Sequence, residues 1–171
     1  MSSAILYILS GLPGSGKTTI AQLLARQLGA AHLRIDTIEQ ALRDLCAIDV
    51  VAEGYRLAYR VAGDILRSGT SVVADSCNPI TLTRREWERV AEEVGAHYVN
   101  IEIVCSDLQE HRDRVETRVP TIPGLVLPTW REVESREYHR WSVERIVVDT
   151  ARRSVEECIT DLRSRLSGGE G

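Results

Sequence analysis

Short apolar runs and helix-period segments alternate along almost the whole chain. That alternation predicts βαβ units and a parallel sheet. Residues 4–10 (AILYILS) are apolar on both faces, as a central strand covered by two helical layers must be. Residues 17–29 place Ile20, Leu23, Leu24 and Leu28 on one stripe, a helix that Gly29 closes. A short strand is expected at 32–36 (HLRID), then helices at about 37–46 and 51–67, the second ended by Gly69. Further strands are expected at 71–75 (SVVAD), 97–105 (HYVNIEIVC) and 145–149 (RIVVD). Helices fill the intervals: 80–94, begun after Asn78-Pro79 and closed by Gly95; 107–118, with Ser106 or Asp107 as N-cap; about 130–141; and 153–166. Three prolines and a glycine within 119–129 (VPTIPGLVLPT) exclude regular helix there. No repeat and no linker divides residues 1–166, which read as one domain, and 167–171 (SGGEG) read as a disordered tail.

Composition changes this picture little. The chain has 171 residues, 43% hydrophobic and 27% charged, and no Phe, so Leu, Ile, Val and Ala must form the core. A net charge of −4 does not favour nucleic acid or an anionic membrane as partner. No apolar run approaches the ~20 residues of a membrane span. The opening MSSAILYILSG lacks a basic leading region and runs into a glycine-rich loop, so it is read as a strand rather than a signal peptide. Cys46, Cys77, Cys105 and Cys158 are widely spaced with no CxxC pair, which argues against disulfide or zinc frameworks and for a cytoplasmic protein.

The strongest chemical signal is Gly11-Leu12-Pro13-Gly14-Ser15-Gly16-Lys17-Thr18, which satisfies G-x-x-x-x-G-K-[ST] between an expected strand and an expected helix. Glycines let successive backbone N–H groups turn inward, and the helix that starts at Lys17 adds its positive dipole end. Lys17 is placed to reach the β- and γ-phosphates of ATP, Thr18 to ligate Mg²⁺, and Thr19 to contact the α-phosphate. No Asn-Lys-x-Asp guanine-reading segment is present, and the chain is short for a motor or remodelling ATPase. Elimination favours a kinase.

Asp36 and Asp75 end expected strands, and ligands of open parallel sheets bind beyond the strand carboxyl ends. Asp75, after Val72-Val73-Ala74, fits a second magnesium-holding carboxylate. Asp36 is assigned to orient an acceptor hydroxyl and take its proton, the alternative being an N-cap for the helix starting at Thr37. On the 107–118 helix, Arg114 and Arg118 share a face; one can lie over adenine and the other contact the transferring phosphate. Alternatively, Glu110, Asp113 and Glu116 pair with the arginines of this helix. The segment 119–129, within a lid of about 112–130, can close over the site and exclude water. Arg84 and Arg85 either bind an anionic group of the acceptor or are exposed. Trp87, Trp130, Trp141, Tyr55 and Tyr59 are read as packing residues, and His111 and His139 lack metal-ligand spacing.

With the loop, Asp36, Asp75 and Arg114–Arg118 in place, the chain resembles the small P-loop kinases, among them adenylate and gluconate kinases, chloramphenicol phosphotransferase, zeta-toxin kinases and the polynucleotide kinase domain. It is most similar to short predicted kinases often labelled AAA-family ATPases, through CSDLQEHRDRVETR (105–118) and IPGLVLPTWREVESREYHRW (122–141). The resemblance implies a three-layer α/β fold with a parallel sheet of order 2-3-1-4-5, ATP, Mg²⁺, and transfer of the γ-phosphate to a hydroxyl; the acceptor is read as a small molecule and the chain as a monomer or homodimer. It also implies that Thr150-Ala151-Arg152 border the adenine. A polynucleotide 5′-hydroxyl kinase and a non-catalytic ATP-binding regulatory module are the rival readings. Where zeta toxins and polynucleotide kinases place an arginine after the strand-2 aspartate, this chain reads Asp36-Thr37-Ile38-Glu39-Gln40, which weakens a nucleic-acid acceptor.

Overall fold

The computed structural model describes residues 4–168. Alternate side chains of strand β1 (Ile5–Ser10) point to opposite faces of the sheet, as the two-residue strand period requires. Leu6 and Ile8 enter one core and Tyr7 and Leu9 the other. The first core lies under helices α2 (Ile35–Cys46), α3 (Glu53–Arg67) and α4 (Thr81–Val94), where Ile35, Ala58, Ala62, Leu66 and Trp87 are buried. The second lies under α1 (Lys17–Leu28) and the terminal helix α7 (Val155–Gly168), and buries Ile20, Leu24, Ile159 and Leu162. Neither helical layer could bury its apolar stripe without the sheet between them.

The other strands are β2 (Ala31–Arg34), β3 (Val72–Asp75), β4 (His97–Val104) and β5 (Ile146–Asp149). All pairings are parallel, in the order β2-β3-β1-β4-β5. The expected fold and strand order are therefore present. Chain progression reverses at β1, between β3 and β4, so the crevice beyond the carboxyl ends opens there. In register, Asp75 lies beside Leu9 on one side and Arg34 on the other.

Local boundaries follow the expected chemistry with instructive departures. Gly29 and Gly95 are left-handed C-caps of α1 and α4. Asp107 caps α5 (Leu108–Thr117), its carboxylate accepting from the N–H groups of Gln109 and Glu110. β2 stops at Arg34, two residues early, because the chain turns straight into α2; Asp36 is thus in the first turn of that helix, not at a strand end or an N-cap. The helix expected at 130–141 is only α6 (Trp130–Glu134), opened by a capping box between Thr129 and Glu132. Beyond it the chain becomes an extended strap because its side chains are needed elsewhere. The Tyr138 hydroxyl donates to the buried Glu102 carboxylate at 3.1 Å, and Trp141 covers the Arg84 guanidinium, 4.0 Å from the ring centroid. Of the tail expected at 167–171, Ser167 and Gly168 complete α7 and 169–171 lie outside the described residues.

Candidate active site

The loop between β1 and α1 is shaped by neighbours from the far half of the chain. A Cβ on Gly11 would lie 2.3 Å from the carbonyl oxygen of Ile103, and the Gly11 N–H donates to the carbonyl of Cys77 at 3.1 Å. Gly14 adopts φ +81°, and a Cβ there would lie 2.5 Å from Cγ2 of Val115 on α5. Both positions exclude any larger residue. His111, buried on α5, donates from Nε2 to the Pro13 carbonyl at 2.9 Å. The Thr150 hydroxyl lies 2.8 Å from the Ser15 carbonyl and 3.1 Å from that of Val104. The loop is therefore clasped from two sides, while Gly16, Lys17 and Thr18 face the crevice and Thr19 is exposed.

Lys17 and Asp75 face one another across the crevice floor, Nζ to Oδ1 at 3.4 Å. His32, on the neighbouring strand, donates from Nε2 to Oδ2 of Asp75 at 3.1 Å. Burial alone would raise the Asp75 pKa. The Lys17 ammonium, the His32 ring and the Thr18 hydroxyl outweigh it and hold the carboxyl down at about 2. The carboxylate is thus ionised at neutral pH, with Thr18 and Lys17 both within its reach.

A cleft of about 780 Å³ runs from this loop past Asp75 to α2 and the 119–128 segment. It lies within the range of small-molecule sites. Asp36 also lines it, its side chain about half exposed (54%). Glu39, one turn further along α2, pairs with Arg43 at 3.5 Å; burial, the largest effect, and the Asp36 charge push its carboxyl up. Segment 119–128 reaches across the cleft: Arg34 donates to the Thr121 hydroxyl at 3.0 Å, and a Cβ on Gly124 would lie 3.1 Å from the Gln40 amide.

The arginines divide. Arg114 is bound to the Thr150 hydroxyl (2.8 Å), to the Thr150 carbonyl (3.0 Å) and to Glu110, so it braces the outer clasp of the phosphate loop. Arg118 is the C-cap of α5, and it faces Asp36, Arg34 and Arg136. Arg152 is held on the outer rim, bidentate on Asp107 Oδ2 at 2.7 and 3.0 Å, and does not line the cleft. Arg84 and Arg85 are likewise not in the cleft. Arg84 is buried, donating to the carbonyls of Asn78 (2.9 Å) and His139 (3.0 Å), and Arg85 pairs with Glu88 at 2.5 Å. The even choice between an anion role and exposure is thus replaced, for Arg84, by a structural one. Trp87, fully buried, and Tyr55, whose hydroxyl accepts from the Asn78 N–H, are packing residues.

Sequence reasoning missed His32, Arg34, Glu39, Arg136 and the clasping roles of His111 and Thr150. The one local signal was the alternation His32-x-Arg34, which places two polar side chains on one face at the end of β2.

A phosphate loop at the switch point of a parallel sheet, beside an ionised carboxylate in an arginine-lined cleft, places the chain among the small P-loop kinases. The chain belongs to a family described as an AAA domain, whose model matches residues 6–158. It is 26% identical to a shikimate kinase of Geobacter sulfurreducens over 91% of this chain and 87% of that one. A crystal structure of a candidate kinase from Chloroflexus aurantiacus superposes with a TM-score of 0.76 at 21% identity, covering 95% and 98% of the two chains. The Mycobacterium tuberculosis APS kinase in complex with AMPPNP and APS gives a TM-score of 0.73 at 18% identity, with 98% and 99% covered. Relatives by sequence are kinases of small molecules. Among the described residues no helix is long and apolar enough to cross a membrane.

Proposed function

We propose that this protein is an ATP-dependent kinase that transfers the γ-phosphate of Mg·ATP to a hydroxyl group of a small molecule. One observation carries the reading: the phosphate loop, Asp75 and Asp36 all line the same cleft. A nucleotide seated on the loop points its terminal phosphate toward the compartment where an acceptor fits.

The geometry supports the following roles. Backbone N–H groups of residues 14–18 and the α1 dipole hold the phosphates, and Lys17 neutralises the γ-phosphate. Thr18 and Asp75, close enough for the hydroxyl to help hold the carboxyl ionised, suit Mg²⁺, which keeps one or two protein oxygens plus phosphates and water rather than an all-protein cage, and which supplies charge neutralisation when bound. Asp36 accepts the proton of the acceptor hydroxyl as its oxygen bonds to phosphorus and the bond to the ADP oxygen breaks. Arg114 supports the loop that binds ATP, and Arg118 faces the point of transfer. Segment 112–130 serves as the lid that excludes water. The four cysteines, unpaired among the described residues, suit a reducing cytoplasm.

The test is equilibrium binding of Mg·AMPPNP together with transfer from labelled ATP. Lys17→Ala removes a charge-assisted contact, and affinity falls about 10- to 100-fold. Unaltered affinity refutes nucleotide capture by the loop. With pools of sugars, hydroxy acids and nucleosides, Asp36→Asn abolishes labelled product. If no pool is labelled and Asp36→Asn leaves ATP hydrolysis unchanged, the kinase reading fails.

A further inference from the structure

The acceptor compartment is built for negative charge. Arg34, Arg118 and Arg136 come to it from three different elements: the end of β2, the C-cap of α5 and the strap after α6. Arg34 and Arg136 are near enough for their charges to act on Arg118, and one carboxylate, Asp36, acts on Arg118 and lies beside Arg34. Asp36 is loosely placed, 3.9 Å from Arg34 Nη2 and half exposed. The other acids of the cleft are committed, Glu39 to Arg43 and Asp75 to Lys17 and His32. Among the described residues the Nε atoms of Arg34 and Arg118 are buried without a hydrogen-bond partner. Arg136, which also lines the cleft, is itself exposed, its Nη1 lying 3.8 Å from the Cys77 sulfur.

Gathering like charges in a partly closed cleft is costly unless an anion compensates them. Buried guanidinium N–H groups left unpaired add to that cost. Planar guanidinium forks match the oxygens of a phosphate, sulfate or carboxylate. The cluster stands beside Asp36, whereas the triphosphate already has the loop amides, the α1 dipole and Lys17.

Building on the kinase reading above, we infer that the acceptor is itself an anion: a small hydroxylated compound with a phosphate, sulfate or carboxylate group that Arg34, Arg118 and Arg136 hold while its free hydroxyl faces Asp36. This replaces Arg84 and Arg85, the arginines that the sequence suggested for such a group. It also accounts for Arg34 at the end of β2, where the fork reaches the cleft while one N–H stays on Thr121.

Two measurements test it. In the first, labelled ATP and Mg²⁺ are offered with matched pairs: glycerol against glycerol 3-phosphate, ribose against ribose 5-phosphate, glucose against gluconate. Label enters the anionic member of a pair at least tenfold faster. Equal or faster labelling of the neutral members overturns the inference and leaves the kinase reading standing. Label confined to a 5′-hydroxyl oligonucleotide assigns the arginines to a polymer backbone and also overturns it.

The second measurement does not depend on finding the acceptor. With the loop filled by Mg·AMPPNP, binding of inorganic phosphate and of sulfate is followed by titration calorimetry. Wild type binds one anion, and Arg34→Gln and Arg136→Gln each weaken it about tenfold, the effect of losing one charge-assisted contact. Mg·AMPPNP affinity does not change in either variant. Arg34→Lys, which keeps charge and loses the fork, falls between, and circular dichroism confirms that the variants are folded. No anion bound beyond the nucleotide, or anion binding indifferent to both variants, overturns the inference. So does a loss of Mg·AMPPNP affinity as large as the loss of anion affinity, which assigns the cluster to the γ-phosphate. Failure of Mg·AMPPNP itself to bind wild type sinks the kinase reading instead.

Discussion

Thr150→Val tests whether the phosphate loop is held in shape by its outer clasp. Thr150 is 5% exposed, and valine has nearly its shape, so the change removes a hydroxyl and little else. That hydroxyl has one proton to donate, to the Ser15 carbonyl at 2.8 Å or that of Val104 at 3.1 Å, and it accepts from Arg114 Nη1 at 2.8 Å. A neutral hydrogen bond contributes about 1 kcal/mol, and one from a charged donor about 1.5–3. Arg114 keeps its Glu110 and Thr150 carbonyl partners, which lowers the second figure. The expected loss is about 2–4 kcal/mol, or about 5–15 °C in Tm for a chain of this size. Urea unfolding followed by circular dichroism measures it as a lower midpoint at unchanged slope. Thr150→Ser keeps the hydroxyl and loses about 1 kcal/mol through its missing methyl. Mg·AMPPNP affinity falls in the valine variant only, because Ser15 carries part of the phosphate cradle. A valine variant within about 0.5 kcal/mol of wild type, or no worse than serine, refutes the clasp.

Two further outcomes follow from the buried charges. Asp75 titrates near 2 in the folded chain against 3.8 ordinarily, a depressed value, so its contribution of about 2 kcal/mol is complete above the ordinary pKa and is lost as pH falls through about 2. Unfolding free energies from urea titrations between pH 6 and pH 2 should fall further for wild type than for Asp75→Asn by that amount; parallel curves would show that the Lys17 and His32 contacts contribute nothing. Glu102→Ala strands Arg145, which is bound at 2.6 Å, and frees the Tyr138 hydroxyl. Arg145 is 30% exposed, so the pair is only partly buried and its loss costs about 1–3 kcal/mol. Limited proteolysis should then cut first within 135–145, and a cut elsewhere at the wild-type rate counts against the strap.

Local chemistry was legible and assembled chemistry was not. Gly11 to Thr18 form a contiguous signal whose flanking strand and helix are set by the same residues, so loop, β1 and α1 could be read together. The strand runs and the caps at Gly29, Gly95 and Asp107 depend on neighbours in sequence, and the strand order came with the family resemblance. Arg84 misled because paired arginines at a helix start look solvated; nothing local shows that Trp141, far along the chain, will cover one of them. The 130–141 helix was overdrawn for the same reason, since Glu102 and Arg84 draw Tyr138 and Trp141 into an extended strap. Asp36 was placed correctly in the cleft but on the wrong element, because HLRID fits a strand until α2 begins at Ile35. His32, Arg34 and Arg136 acquire meaning only when β2, β3 and the strap meet.

The clasp on the phosphate loop also orders events in time. Its contacts come from Ile103, His111, Val115 and Thr150, with sequence separations of 98 for His111 to Pro13 and 135 for Thr150 to Ser15. Closing such long spans is entropically slow, so the amino-terminal loop reaches its final shape only after the carboxyl-terminal half has docked. A ligand bound there therefore meets a finished molecule: it prolongs the life of the native state by slowing unfolding and leaves the rate of folding as it was.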